Sequence, residues 1–463
     1  MTIERKVGMG IAGQPSGGPT DVADVFSTHL YTGDYGAGTV VNGIDLAGEG
    51  GMVWTKARSY NDNHVIIDTE GGGSKWRRSN YYSAHATANN MITSFNSNGY
   101  TRGNNGNISD QQDFVSWTFR KKKKFFDIVT WSGNSTAGRQ ISHGLDGPVG
   151  FMICGCTSEY TDWSTYNATD GAGKYNKLNG NYNSISNTNI WNNTAPTSTH
   201  FTVGTLGQIN ETGKTYTAYL FADNSAEDAE DQMIKCGSYT TDGSEEATIT
   251  LGWEPQFILV KRSDSSTGGD WRIIDTMRGT AVGGSDYYLE PNTTDVEAET
   301  SNVYTLTPTG FTQDNFGASR TYIYMAIRAP MMVEPSAGTD VFAVESYIGN
   351  GVANRKITTG FAVDANITVG YDNSARSPCL GNRITDGMFQ TDSATANYDA
   401  LHDWIGYDNN DGIHYTVAYD FSNTLNASFS TLSWKRAKGF FDVVAYPQVA
   451  NTAHAVPHSL GVV

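Results

Sequence analysis

The side chains that could do chemistry are few and scattered along this 463-residue chain. Of the four cysteines, Cys154 and Cys156 lie two apart in an apolar stretch, which puts them on one face of a strand. Cys236 and Cys379 show no metal-ligand spacing, so all four are expected as buried free thiols. His143 and His458 each follow an aromatic residue (Trp131, Tyr446) by 12 positions, which predicts a shared structural role at a strand end. Asp68 and Asp275 each follow Ile-Ile and are predicted to accept backbone N–H groups in a turn. The run Asp408-Asn-Asn-Asp-Gly412 resembles a calcium-loop fragment but lacks the distal Glu and the alternation, so a plain turn is expected. Trp76-Arg77-Arg78 and Trp163 would make sugar-stacking platforms if exposed, although packing is the commoner fate of Trp. There is no Gly-x-Ser-x-Gly elbow, P-loop, His-Glu-x-x-His helix or Cys-x-x-Cys pair. No catalytic, cofactor-binding or metal residue is therefore assigned, no cofactor is expected, and the sequence does not name a receptor-binding residue.

Bulk composition narrows the class. Charged residues reach only 17% while aromatic residues reach 12%, with 25 Tyr and 51 Gly. Disordered chains lack aromatics, and this mixture suits short strands joined by many turns. The formal net charge of −17 opposes the counterion release that drives nucleic-acid binding, so no nucleic-acid partner is expected. Met1-Thr-Ile-Glu-Arg-Lys6 lacks the apolar stretch of a secretory signal, and no run of 18 apolar residues predicts a membrane span.

These residues are positioned by a repeat. Phe114 to Val129 aligns without a gap on Phe429 to Val444, each running through a basic link into Phe-Phe-Asp. An opening aromatic recurs at Tyr31, Trp131, Tyr239, Tyr347 and Tyr446, at spacings of 100, 108, 108 and 99. A late aromatic (Tyr100, Phe201, Phe311, Tyr415) follows the first four at 69, 70, 72 and 68 residues. Two landmarks keeping pace through four copies mark a tandem array. The units read as an arm at 1–22, repeats at 23–125, 126–230, 231–336 and 337–439, and the start of a fifth at 440–463. Within them, β-branched and aromatic runs are punctuated by Asn-Gly pairs at 42–43, 98–99, 105–106, 179–180 and 350–351, which favour hairpins. No sustained helical period appears, so the expected class is all-β: tandem antiparallel β-sandwich repeats of jelly-roll type. Arg120 to Lys124 reads as a solvated basic connector, with contact to an acidic neighbour as the other reading.

Taken as a set, Leu30-Tyr-Thr-Gly33, Ile44 to Trp54, Phe114 to Arg120, Phe125 to Trp131 and Leu251 to Phe257 resemble the tandem concanavalin/laminin-G-like repeat family. That family occurs in virion structural and tail-fibre proteins of marine tailed phages, especially those of cyanobacteria. The resemblance runs from about Val22 to Val463 and implies concanavalin-like jelly rolls in a phage appendage, with no catalytic residues to carry over. The fourth unit departs from it: Ala365-Asn-Ile-Thr-Val-Gly-Tyr371 stands where the others have a Pro-containing strand entry and a Lys/Arg exit.

The expectation is a non-enzymatic virion structural protein, a fibre subunit and most simply a tail fibre, built from stacked β-sandwiches. Its N-terminal part would contact other virion proteins. It would associate with itself, trimer being one state, and distal parts would reach a host-surface glycan or outer-membrane component through many weak contacts. The incomplete fifth repeat suggests the particle-proximal part of a longer fibre. The competing reading is a carbohydrate-binding array of a bacterial adhesin or glycan-degrading system. A depolymerase would need paired carboxylates in a groove, and the sequence offers no such constellation.

Overall fold

The computed structural model describes residues 21–460 apart from 229–230, 266–268, 280–284, 302, 331, 333, 373–375, 386–387, 393–403, 419–421, 445–455 and 457. Most of the predicted arm and much of 440–463 therefore lie outside the described residues. The chain is nearly all β, 44% strand and 4% helix, in several antiparallel sheets without a closed barrel.

Each repeat pairs a large sheet with a small one. In the first, the large sheet runs Phe26–Thr32, Asp113–Arg120, Gly51–Ala57, Val65–Asp68, Lys75–Arg78 and Ala86–Thr87. The closing strand is thus inserted beside the opening one, and Tyr31 pairs with Phe114. The small sheet is Gly38–Val41, Gly99–Arg102 and Ile92–Asn96. The second and third repeats repeat the six-stranded order, and the fourth shows five described strands.

The two aromatic landmarks keep their offset because they meet across the sandwich. Ring centroids are 5.5 Å apart for Trp131–Phe201, 6.0 Å for Tyr239–Phe311 and 6.2 Å for Tyr347–Tyr415. The opening aromatic also stacks on the closing strand in all four repeats: Tyr31–Phe114, Trp131–Tyr216, Tyr239–Tyr322 and Tyr347–Phe429, at 5.2 to 5.5 Å. Such pairs add about 0.5–1.5 kcal/mol each beyond their buried area. The glycine after the aromatic is a close approach: a Cβ on Gly33 would sit 1.8 Å from the Asp110 carbonyl oxygen, and on Gly349 1.9 Å from that of Thr424. Three of the five Asn-Gly pairs depart from the hairpin expectation: Asn42-Gly43 and Asn350-Gly351 each carry the chain from one sheet of the sandwich to the other, and the third starts a helical turn. Asn105 instead caps the helical turn Gly106–Ser109, its side chain accepting from the Asn107 N–H, because Asn serves helix N-termini as readily as turns.

A linear row of sandwiches would leave the outer face of every large sheet in water. The structure instead closes the first three repeats into a ring, shown by three sets of equivalent contacts. The backbone N–H of His85 donates to Thr157 O, that of Ser184 to Ser263 O and that of Glu297 to Arg58 O, at 3.0, 2.9 and 2.9 Å. These join repeat 1 to 2, 2 to 3 and 3 to 1. Trp163 Nε1 donates to Arg78 O (2.8 Å) and Trp271 Nε1 to Lys177 O (2.9 Å). His64 takes the third place, beside the backbone of Glu290, although its Nε2 lacks a well-formed hydrogen bond. Each of these three residues is held by an asparagine at one repeat position: Asn80, Asn179 and Asn292 accept from the N–H of 64, 163 and 271 at 2.9–3.0 Å. A directional interface that returns to its start after three steps has threefold pseudosymmetry. At the centre the sheet faces fuse into one core, with Phe119 against Phe221 (5.5 Å) and Phe257 (6.1 Å), and Phe151 against Trp271 (5.9 Å).

The fourth repeat seats on the ring. Asn410 Oδ1 accepts from the Leu30 N–H, on the edge strand of repeat 1, at 3.3 Å. Arg436 makes two bonds to Glu254 (3.0 and 2.9 Å) and one to Asp442 (2.7 Å). The acidic turn at 408–412 is therefore a clasp. Asp408 pairs with Arg58 (3.1 Å), and Asp411 with Lys356 (2.6 Å).

Candidate ligand-binding cleft

Strand alternation sorts the Trp-Arg-Arg motif onto two faces. Arg77 points into the ring and is 1% exposed. Its guanidinium carbon lies 4.7 Å from the Trp163 ring centroid and 5.2 Å from that of Tyr219. It pairs with Asp68 at 3.4 Å and donates to the Tyr219 hydroxyl. Asp68 accepts from the Gly71 N–H (2.7 Å), the turn role expected for it, and from Tyr219 OH across the interface (2.6 Å). Asp275 does the same for the Arg278 N–H (3.0 Å) and Trp117 Nε1 (2.9 Å). At the interface of repeats 2 and 3 the corresponding pair is Asn167 and Met325; the thioether offers nothing good to bond, and Asn167 Nδ2 is left without a partner.

Trp163 is wholly buried and Trp76 nearly so, so neither is the exposed platform the sequence allowed for. Their burial positions other rings. Arg78 and Trp76 share the other face of Lys75–Arg78, the one toward the small sheet, with the guanidinium 5.1 Å from the Trp76 centroid and 5.6 Å from that of Tyr81. Tyr81 meets Tyr82 edge-on at 5.0 Å. Tyr160, from a loop of repeat 2, completes the wall. That loop is pinned by the Ser83 N–H to Thr161 O (2.9 Å) and by Ser83 Oγ to Cys156 O (3.0 Å). The three tyrosines are 47%, 43% and 67% exposed. They line a shallow cleft of about 230 Å³ with Trp76, Arg77, Arg78, Ala84 and Ala86. No carboxylate lines it. Among the described residues, the Arg78 guanidinium makes no hydrogen bond or ion pair with the protein. Stacked and unpaired, it presents its donors as a fixed fork.

The two sister positions differ. Lys177 sits over Tyr182 at 5.1 Å but is paired with Asp162 at 2.7 Å. Glu290 holds the third position, and burial raises its pKa to about 7. The aromatic cleft with a free cation thus belongs to the junction of repeats 1 and 2. The sequence offered Tyr81, Tyr82 and Tyr160 only as isolated tyrosines in turn-rich segments, and their convergence depends on ring closure.

The other predicted residues fall into structural roles. His143 Nδ1 accepts from the Leu145 N–H and His458 Nδ1 from the Leu460 N–H, both at 3.3 Å. The four thiols are free and buried, and burial raises that of Cys379 to about 12. In the basic link, Lys121, Lys123 and Lys124 pair with Glu70, Asp146 and Glu227 at 3.0–3.2 Å. No helix among the described residues is long and apolar enough to cross a membrane, and they hold no cluster of three or more metal-ligating side chains.

Comparison with known proteins places this architecture. No curated protein matches the chain. Residues 21–330 match a family described as a domain of unknown function, DUF7483, a span that begins at the Asp21 cap of the first repeat and ends just after the third repeat's closing strand, Thr321–Arg328. The chain, matched over more than half its length by the span that closes the ring, belongs to the DUF7483 family.

Proposed function

We propose that this chain is a non-enzymatic virion structural protein, a phage fibre subunit whose ring of β-sandwiches presents a glycan-contact cleft to the host surface. The observation that carries the reading is the cleft between repeats 1 and 2. Exposed tyrosine rings offer flat apolar faces for the C–H side of a pyranose, and the free Arg78 fork matches a sugar carboxylate or hydroxyl pair. A groove lined by aromatics and guanidinium, without a carboxylate pair, suits holding a sugar rather than hydrolysing it. A shallow, open cleft suits one weak contact among many, and a fibre multiplies such contacts by avidity. The resemblance to phage appendage repeats supports the virion setting, with other virion proteins, further copies of the chain and the host surface as partners. The same cleft also fits the competing reading, a carbohydrate-binding array of a bacterial adhesin.

Two measurements test the proposal. Particles lacking the protein should lose an appendage and adsorb poorly; intact appendages with normal adsorption would refute the fibre role. Host lipopolysaccharide or capsule should bind the protein and be released by Arg78→Ala, without liberation of reducing ends. Liberated reducing ends would refute the non-enzymatic reading.

A further inference from the structure

The three junctions of the ring are built from the same repeat positions, so each shows what the others lack. Arg78, Lys177 and Glu290 stand two residues before Asn80, Asn179 and Asn292. Asn63, Asp162 and Asp270 stand one residue before His64, Trp163 and Trp271. This second set does one shared job: its Oδ1 atoms accept from the side-chain amides of Asn80 (3.0 Å), Asn179 (2.9 Å) and Asn292 (2.6 Å). That bond leaves the other terminal atom of each side chain for a further role. In repeat 2 it is a carboxylate oxygen, Asp162 Oδ2, and it takes the Lys177 ammonium at 2.7 Å. In repeat 3 the carboxylate is kept, but Glu290 stands where the cation would be. In repeat 1 the cation is kept, and the matching atom is the amide nitrogen Asn63 Nδ2. An amide nitrogen donates and has no lone pair to offer a guanidinium. It turns to Asp62 Oδ1 at 3.3 Å, and the same oxygen accepts from the Asn63 N–H at 2.7 Å. One junction has thus kept its cation and exchanged its anion for a neutral isostere.

That junction is also the one whose tyrosines are exposed and whose cleft has no carboxylate in its wall. A guanidinium in free solution needs no partner, but this one is held in place. The rings of Trp76 and Tyr81 fix it at 5.1 and 5.6 Å, so little side-chain freedom remains to be lost when an anion arrives. Hydrogen bonds to an ionised acceptor are roughly twice as strong as those to a hydroxyl, so an anionic substituent gains more here than a neutral sugar does. General attraction does not compete with this effect. The chain carries a net charge of −17, which repels polyanions, and a preference for an acidic ligand has to come from a local cation.

We propose that the cleft selects an acidic sugar, whose carboxylate, sulfate or phosphate takes beside Arg78 the place that the Asp162 carboxylate holds beside Lys177, with the sugar ring against the exposed tyrosines. The proposal rests on the glycan reading of the cleft and adds the charge of the ligand to it. The test is a ligand-observed NMR titration of the whole chain with a galacturonate trisaccharide, the same trisaccharide as its uncharged methyl ester, and a sulfated galactose trisaccharide. At least one of the two anionic probes should bind about tenfold more tightly than the ester, the gain expected of one charge-assisted contact, and the two anionic arms separate carboxylate from sulfate. Arg78→Ala should abolish the difference. Asn63→Asp should abolish it as well, because the new carboxylate supplies the internal anion while still accepting from Asn80; ester binding should stay at the wild-type level. Equal affinities for acid and ester in the wild type would overturn the inference and leave the glycan reading standing. A preference for the acid that survives either substitution would also overturn it. Failure of all three probes to bind would overturn both.

Discussion

Asp275→Ala should open the ring at its third interface. The carboxylate accepts from Arg278 Nε (2.6 Å), the Arg278 N–H (3.0 Å) and Trp117 Nε1 of the first repeat (2.9 Å). Arg278 is wholly buried, and its remaining anion is Glu297 at 2.9 Å. Glu297 is shared with Arg58, which holds Asp408 of the fourth repeat. Removing one partner of a buried pair costs about 3–5 kcal/mol, and an orphaned buried indole N–H costs about 1–3. These overlap, so a loss of about 4 kcal/mol is expected. Asp68→Ala should cost a similar amount, since it also holds a buried arginine and a cross-repeat hydroxyl. Asn167→Ala, at the interface with no such bond, should cost about 1 kcal/mol. Denaturant unfolding followed by hydrogen exchange would read all three, with exchange needed because a chain of several repeats need not unfold in two states. In a double-mutant cycle, Trp117→Phe and Asp275→Ala should couple by about 1–2 kcal/mol. Equal costs for Asp275→Ala and Asn167→Ala, or zero coupling, would refute the cross-repeat account.

Other outcomes follow from particular residues. Burial raises the Asp286 pKa to about 7 against the opposing N–H bonds from Tyr304 and Val303. A carboxyl with a raised folded pKa contributes stability that is full below about pH 4 and lost as pH rises to about 7. The wild type should lose up to roughly 4 kcal/mol across that window relative to Asp286→Asn, read from unfolding midpoints; a flat difference would contradict this. Gly33→Ala should be destabilised by more than 1 kcal/mol in thermal or denaturant unfolding, because the Asp110 carbonyl occupies the space of the new Cβ. Tyr160→Ala should weaken glycan binding by about 1 kcal/mol or more while leaving unfolding midpoints unchanged, because its ring is mostly exposed.

Much of the fold is legible in the sequence, because the landmarks that repeat are the residues that touch. The opening and late aromatics keep their offset since they meet between two sheets, and Gly33 and Gly349 recur where a carbonyl approaches closely. Ring closure was less legible. Nothing in a strand's alternation says whether its outer face meets water or another repeat, and Trp117, Tyr219 and Met325 do not resemble one another. Asn80, Asn179 and Asn292 were the available clue, one asparagine at one repeat position in three units. The cleft was hidden for the same reason. Trp76 and Trp163 drew attention as large aromatics but are buried, whereas Tyr81, Tyr82 and Tyr160 come together only once repeat 2 docks on repeat 1.

The closed ring is most directly tested by distances between spin labels at one equivalent, exposed position of the first three repeats. Val41, Ser142 and Thr250 each end the same small-sheet strand. Pairwise cysteine substitution and double electron–electron resonance would give three distances, with the four buried native thiols left unlabelled. The ring predicts that Val41–Thr250 equals Val41–Ser142 and Ser142–Thr250 within a few ångströms. A Val41–Thr250 distance near the sum of the other two would mean a linear row and would contradict it.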